Sequence, residues 1–182
     1  MLPQSKPSDP HRLDAPSAWV TRWAALASSG CTVLDVACGG GRHARYFASR
    51  GHAVAAVDRD GAALAGLAGV NQIAPICADI ESGPWPFTGR TFGVIVVTHY
   101  LYRPLFSLLL QALAPGGMLI YETFALGNER YGRPANPDFL LRPGELLEVV
   151  RGQLRVVAYE DLFVESPKPA MVQRICAIRS AG

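Results

Sequence analysis

Two kinds of apolar pattern alternate along this chain. Strand-sized runs rich in Val, Ile and Ala are separated by segments whose apolar positions recur three and four residues apart. The runs are Thr32–Ala37, "HAVAAVD" ending at Asp58, "QIAPICAD" ending at Asp79, "TFGVIVVTH" and "MLIYETF". Pro75 cannot donate to a ladder, so it predicts an edge position for the third run. The helical segments begin with "SAWVTRWAALA" after Pro16, with Trp19 and Trp23 four apart on one face and Gly30 closing it. The next runs from about Gly41 to Arg50, with Ala44, Phe47 and Ala48 at helical spacing and Gly51 as its stop. "DGAALAGLAG" follows with Asp60 as N-cap. "RPLFSLLLQAL" is closed by the turn signal "APGG", and "RPGELLEVVRG" starts near Pro143. A long polar loop, Ala125 to Asp138, follows the fifth run. "LRVVAYEDLFV" and "AMVQRICAIR", joined by "ESPKP", read as a terminal hairpin.

Strands alternating with helices predict an α/β fold, doubly wound around a mostly parallel sheet with helices on both faces. The hairpin adds one antiparallel strand at or near an edge. With 182 residues, the chain has room for one domain, read as residues 16–182 behind a Pro-rich, flexible lead-in over 1–15.

Composition narrows the function classes. Apolar residues make up 49% and charged residues 18%, as in ordinary globular proteins. No run approaches the ~20 apolar residues of a membrane span, and the N-terminus lacks the apolar core of a signal peptide. The spacing of Cys31, Cys38, Cys77 and Cys176 fits neither a zinc site nor a redox pair. All four read as small buried hydrophobes, which points to a reducing, cytoplasmic location. A net charge of +2 with no basic run interleaved with aromatics gives no indication of nucleic-acid binding.

The chemistry concentrates at the strand ends, where open α/β sheets bind ligands. Three glycines, Gly39 to Gly41, stand between the first strand and its helix. Gly39, Gly41 and Ala44 satisfy the G-x-G-x-x-A dinucleotide pattern, and Asp58 lies near the distance expected for a ribose contact. Against a dinucleotide stand Asp35 beside the turn, the lack of a second nucleotide-binding half, and too little chain for a substrate domain. The same features suit S-adenosylmethionine, which has no phosphate and carries a sulfonium and an ammonium. Acidic residues after the second and third strands can accept ribose hydroxyls and an adenine amino group.

"VLDVACGGGRHA" resembles motif I of the class I S-adenosylmethionine-dependent methyltransferases. "AAVDRD" and "CADIE" are similar to that family's ribose- and adenine-binding strand ends. "FGVIVVTHYLYRPL" and "LAPGGMLIYETF" are similar to its later motifs. The resemblance spans about Pro16 to Arg179 and is nearest to small standalone bacterial members of the tellurite-resistance-like type. It implies a Rossmann-like seven-stranded sheet of order 3-2-1-4-5-7-6, with strand 7 antiparallel, and methyl transfer to a small-molecule acceptor by in-line displacement. It implies a loop of Asp35, Ala37, Gly39 and Gly41 under the methionine portion. Ala37 departs from the family's usual glycine. Asp58 and Arg59 match the ribose site, Asp79 and Ile80 the adenine site, and Thr98 and His99 the methyl end.

Each of these residues has a plain structural alternative. Asp35 and Asp79 can cap a helix or a loop, and His99 divides evenly between a backbone contact and a catalytic or substrate-contact role as general base. Tyr100, Tyr102 and Arg103 share the fourth strand's end as candidate substrate contacts, with a solvated side chain as the alternative for Arg103. Arg130, Tyr131 and Arg133, with Asn128, form either part of a lid over the acceptor or a surface loop. Trp85, between two prolines, is a candidate plug beside the adenine. No (D/N)PP(Y/F) tetrapeptide follows the fourth strand, which disfavours methylation of DNA-base amino groups. A non-catalytic S-adenosylmethionine-binding module and an NAD-dependent oxidoreductase remain as alternatives.

Overall fold

A computed structural model describes residues 15–181, so all but the last residue of the 1–15 lead-in lies outside the described residues. Seven strands form one sheet: β1 (Thr32–Val36), β2 (Ala53–Asp58), β3 (Ile73–Cys77), β4 (Phe92–Thr98), β5 (Leu113–Phe124), β6 (Arg155–Val164) and β7 (Ala170–Ile178). Their order is β3-β2-β1-β4-β5-β7-β6. The pairs from β3 to β5 are parallel, and β7 is antiparallel to both β5 and β6. This is the order and strand sense that the resemblance implied. Pro75 sits in β3 at the sheet edge, where its missing N–H costs no ladder bond.

Both faces of the sheet are covered, which explains why the central strands are largely apolar, Asp35 in β1 being the charged exception. Leu34, Val36, Val57, Ile95 and Val97 face one core, with α4 (Phe106–Gln111) and α5 (Glu145–Val150) packed over it. Val33, Val54, Ala56, Val94 and Val96 face the other, under α1 (Ala18–Ala24), α2 (Arg42–Ala48) and α3 (Gly61–Ala65). Phe47 of α2 is completely buried, and that burial contributes about 1.5–3 kcal/mol. Trp19 is a core residue, its indole N–H donating to Ile175 O at 3.3 Å.

Several boundaries differ from expectation. Helix α2 is shorter than Gly41–Arg50. The "RPLFSLLLQAL" helix opens with a 3-10 turn, Arg103–Leu105, with Pro104 in a first-turn position that needs no N–H. "APGG" falls inside β5. Phe92 pairs with Leu113 and Val94 with Met118, so the turn is extruded from the strand rather than preceding it. The cysteine reading needs correction. Cys38 and Cys176 are buried, but Cys31 is only half-buried and Cys77 is exposed, since β3 is an edge strand whose end is open. Among the described residues, no helix is long and apolar enough to cross a membrane.

Candidate active site

Parallel pairing brings the carboxyl ends of β1, β2, β3 and β4 to one side of the sheet. After β1 the backbone takes left-handed conformations at Ala37 (φ 51°), Gly39 (φ 53°) and Gly41 (φ 75°). Gly41 has two reasons to be glycine: its φ, and a would-be Cβ only 2.5 Å from Leu67 Cδ2. At Gly39, nothing among the other described residues comes within 4 Å of the corresponding position.

Asp58 ties this turn to the next loop. Its Oδ2 accepts the Gly39 N–H at 2.8 Å and its Oδ1 accepts the Asp60 N–H at 2.9 Å. Asp35 lies deeper and is 1% exposed. Its carboxylate accepts the Ala44 N–H at 2.9 Å, capping the first turn of α2. Burial pushes its pKa up to about 7, against the lowering effects of that N–H and of Arg42.

The end of β3 is a tight loop organised by Asp79. One carboxylate oxygen accepts the N–H groups of Glu81 and Ser82, at 2.9 and 3.2 Å, and the other accepts the Ser82 hydroxyl. These bonds, the hydroxyl first, hold its carboxyl below the usual range. Tyr100 donates to Glu81 Oε1 and Tyr102 to Glu81 O, both at 3.1 Å, so two tyrosines after β4 brace the same loop.

At the end of β4, His99 is also left-handed (φ 53°), and its N–H donates to Glu122 O at 2.9 Å. Its ring stacks on Phe124 with centroids 5.1 Å apart and planes at 23°. The packing around the ring and then the charge of Arg42 lower its pKa.

These residues enclose a cavity of about 400 Å³ at the ends of the parallel strands. Ala37, Asp58, Arg59, Asp79, Ile80, His99 and Tyr100 form its wall together with Phe124, Pro134 and Phe139. Residues 33–117 match a family model described as a methyltransferase domain. That stretch, just under half of the chain, is similar to a methyltransferase domain. Solved structures extend the likeness beyond the matched residues. TehB from Haemophilus influenzae matches with a TM-score of 0.73 at 19% identity, over 89% of this chain and 61% of that one. A TehB-like SAM-dependent methyltransferase from Corynebacterium glutamicum gives 0.65 at 19% identity, over 89% and 87% of the two chains. An S-adenosylmethionine-dependent methyltransferase from Mesorhizobium loti gives 0.68 at 19% identity, over 89% and 98%. At these identities the likeness is one of fold, the class I methyltransferase fold. No curated protein sequence matches the chain.

Other residues singled out from the sequence lie away from the methyltransferase cavity wall. Asp35, Gly39, Gly41, Thr98 and Tyr102 do not line it. Arg103 faces the neighbouring loop, where its guanidinium pairs with both Glu145 oxygens at 2.6 and 3.0 Å. It also donates to Asp138 O at 2.7 Å and Leu140 O at 2.8 Å. Arg130 and Arg133 are exposed, and Tyr131 packs on Phe163 with centroids 4.8 Å apart. Pro134 from the same loop and Phe139 just after it reach the cavity instead. Trp85 packs edge-on against Phe87 at 5.0 Å rather than on the cavity.

One buried polar group of the methyltransferase domain was missed from sequence. His43 accepts the Ser17 N–H on Nε2 at 3.1 Å, and its Nδ1 lies 3.4 Å from the Thr98 hydroxyl. Ser17 in turn donates to Glu122 at 2.7 Å, and Glu122 pairs with Arg174 at 3.1 Å. Because Nε2 is an acceptor here, Nδ1 carries the proton and donates to Thr98. Burial first, then the charge of Arg42, pushes the His43 pKa down to about 3. Its position four residues before Phe47 was the available signal: it shares that residue's buried helical face.

Proposed function

We propose that the domain transfers a methyl group from S-adenosylmethionine to a small-molecule nucleophile. The observation that carries this reading is the Asp58 carboxylate, which bridges the glycine turn and the loop after β2 at the cavity wall. A carboxylate has about four lone-pair sites, so Asp58 keeps acceptor capacity for two ribose hydroxyls. Asp79 and the Ile80 N–H are assigned to the adenine, with Arg59 beside the ribose. Ala37, Gly39 and Gly41 let the backbone pass under the methionine portion, with Asp35 below. Thr98 and His99 stand at the methyl end. Asp58, Asp79 and Glu81 all line the cavity, which fits a phosphate-free cationic ligand and opposes a pyrophosphate.

The sulfonium supplies a methyl group with a good leaving group, so the chain has no covalent intermediate to build. Its task is alignment and exclusion of water, and such positioning lowers a barrier by up to about 7–11 kcal/mol. Tyr100, Tyr102 and Arg103 act on the acceptor indirectly, by holding the loops around it. Arg130, Tyr131 and Arg133 belong to the loop that sends Pro134, with Phe139 just after it, to the cavity mouth. The four free cysteines support a reducing, cytoplasmic setting, and residues 16–182 act as one domain.

Titration calorimetry tests the reading. S-adenosylmethionine should bind and NAD should not. Asp58→Ala should weaken binding at least about tenfold, since hydrogen bonds to a charged group contribute about 1.5–3 kcal/mol. Unchanged affinity in that variant would refute the site assignment. Cofactor binding without turnover across thiols, phenols, amines, carboxylates and metalloid oxyanions would refute catalysis and leave a binding module.

A further inference from the structure

Arg42, the first residue of α2, reaches across to the end of β4. Its Nη2 lies 3.5 Å from His99 Nδ1. A guanidinium has donors only, so this hydrogen bond requires Nδ1 to present its lone pair. The ring proton then resides on Nε2. Burial of the ring and then the charge of Arg42 lower its pKa, which favours the neutral ring with that single proton. The basic nitrogen of His99 is therefore engaged by Arg42, and what the ring has left to offer is an N–H donor. The Phe124 stack holds the ring, and the Glu122 main-chain bond fixes the backbone that carries it.

The neighbouring wall sets the rest of the ligand. Leu101, Phe124, Pro134 and Phe139 line the cavity together with His99, and Tyr100 and Thr123 add polar groups. An apolar, aromatic wall with one donor backed by a cation matches a planar apolar body carrying a negative charge. The carboxylates of the cavity, Asp58, Asp79 and Glu81, come from the ends of β2 and β3. The Glu122 carboxylate is taken up by Ser17 and Arg174.

Building on the methyl-transfer reading, we propose that His99 and Arg42 select an aromatic anion as methyl acceptor, with His99 donating its Nε2–H to a nucleophile that arrives already ionised. Arg42 fixes the tautomer and supplies the counter-charge, and no general base takes part. A lone pair of the acceptor forms the bond to the methyl carbon as the carbon–sulfur bond breaks, its electrons remaining on sulfur. No proton moves. Donor and acceptor charges cancel as the bond forms, which a desolvated cavity favours over water.

The tautomer is measurable without any ligand. Long-range proton–nitrogen NMR of the ligand-free protein, with His99→Gln identifying the signals, should show a protonated Nε2 and a bare Nδ1 at pH 7. Arg42→Gln should shift the ring to a mixture of tautomers. A proton on Nδ1 in the wild-type protein overturns the proposal. The ligand class is read separately, by titrating benzoate and benzyl alcohol into protein loaded with S-adenosylhomocysteine. Benzoate should bind at least about tenfold tighter, and the preference should vanish in Arg42→Gln. Equal binding of the two probes overturns the proposal. If S-adenosylhomocysteine itself fails to load, the methyl-transfer reading falls, while the NMR result still decides the role of the pair.

Discussion

Two buried groups beneath the site make opposite demands on pH, and separating them tests the packing directly. Asp35 has a pKa raised from 3.8 to about 7, so between those values the folded chain holds a proton that the unfolded chain has lost. Stability from this group is greatest at low pH and falls as pH rises through that window. His43 has a pKa lowered from 6.5 to about 3, so in that range the unfolded chain holds the extra proton. Its contribution is intact above pH 6.5 and is lost as pH falls. Each group alone changes stability by about 1.4 kcal/mol per pH unit, with opposite signs, so in the wild type they largely cancel between about pH 4 and 6.5. Asp35→Asn keeps an acceptor for the Ala44 N–H and removes one side of the balance. Relative to wild type, it should lose about 3 kcal/mol on going from pH 6.5 to 4. His43→Gln should gain a similar amount over the same interval. Urea unfolding of the three proteins at four pH values in this range measures both, and the exposed carboxylates drop out of the differences. If Asp35→Asn and wild type follow parallel pH profiles, the burial account of Asp35 is wrong.

Gly41→Ala should destabilise the domain by about 2–4 kcal/mol, combining a left-handed backbone with overpacking against the fully buried Leu67, as seen by a lowered urea midpoint. Arg103→Ala leaves the largely buried Glu145 carboxylate with Arg142 as its remaining partner and removes the donor to two carbonyls, so it should cost about 2 kcal/mol and speed proteolysis within residues 125–145. Cofactor affinity should stay near wild type in that variant, because Arg103 does not line the cavity; a large loss of affinity would contradict the placement.

Much of the candidate site was legible because it is local. A strand that ends in a carboxylate, or in a glycine turn, announces both facts within a few residues. Parallel pairing then guarantees that such ends meet. This is why Asp58, Asp79, Ile80 and His99 all reach one cavity. The readings of Arg103, Arg130, Tyr131 and Arg133 rested on proximity in sequence to that end. Proximity does not decide direction: Arg103 turned to Glu145, and Tyr131 to Phe163. Pro134 in that loop and Phe139 just after it carried no chemical signal, yet they wall the cavity.

The sequence by itself determined the alternation of elements and the positions of the glycine turn and the acidic strand ends. Those follow from periodicity and backbone sterics, which act over a few residues. Only the tertiary structure decided which polar groups become partners. Ser17 meets Glu122 across 105 positions, and Arg42 meets His99 across 57. Such pairings depend on where the sheet order places β4 and β5 relative to α1 and α2. They also set the ionisation of Asp35, His43 and His99, because burial and neighbouring charge are properties of the folded chain.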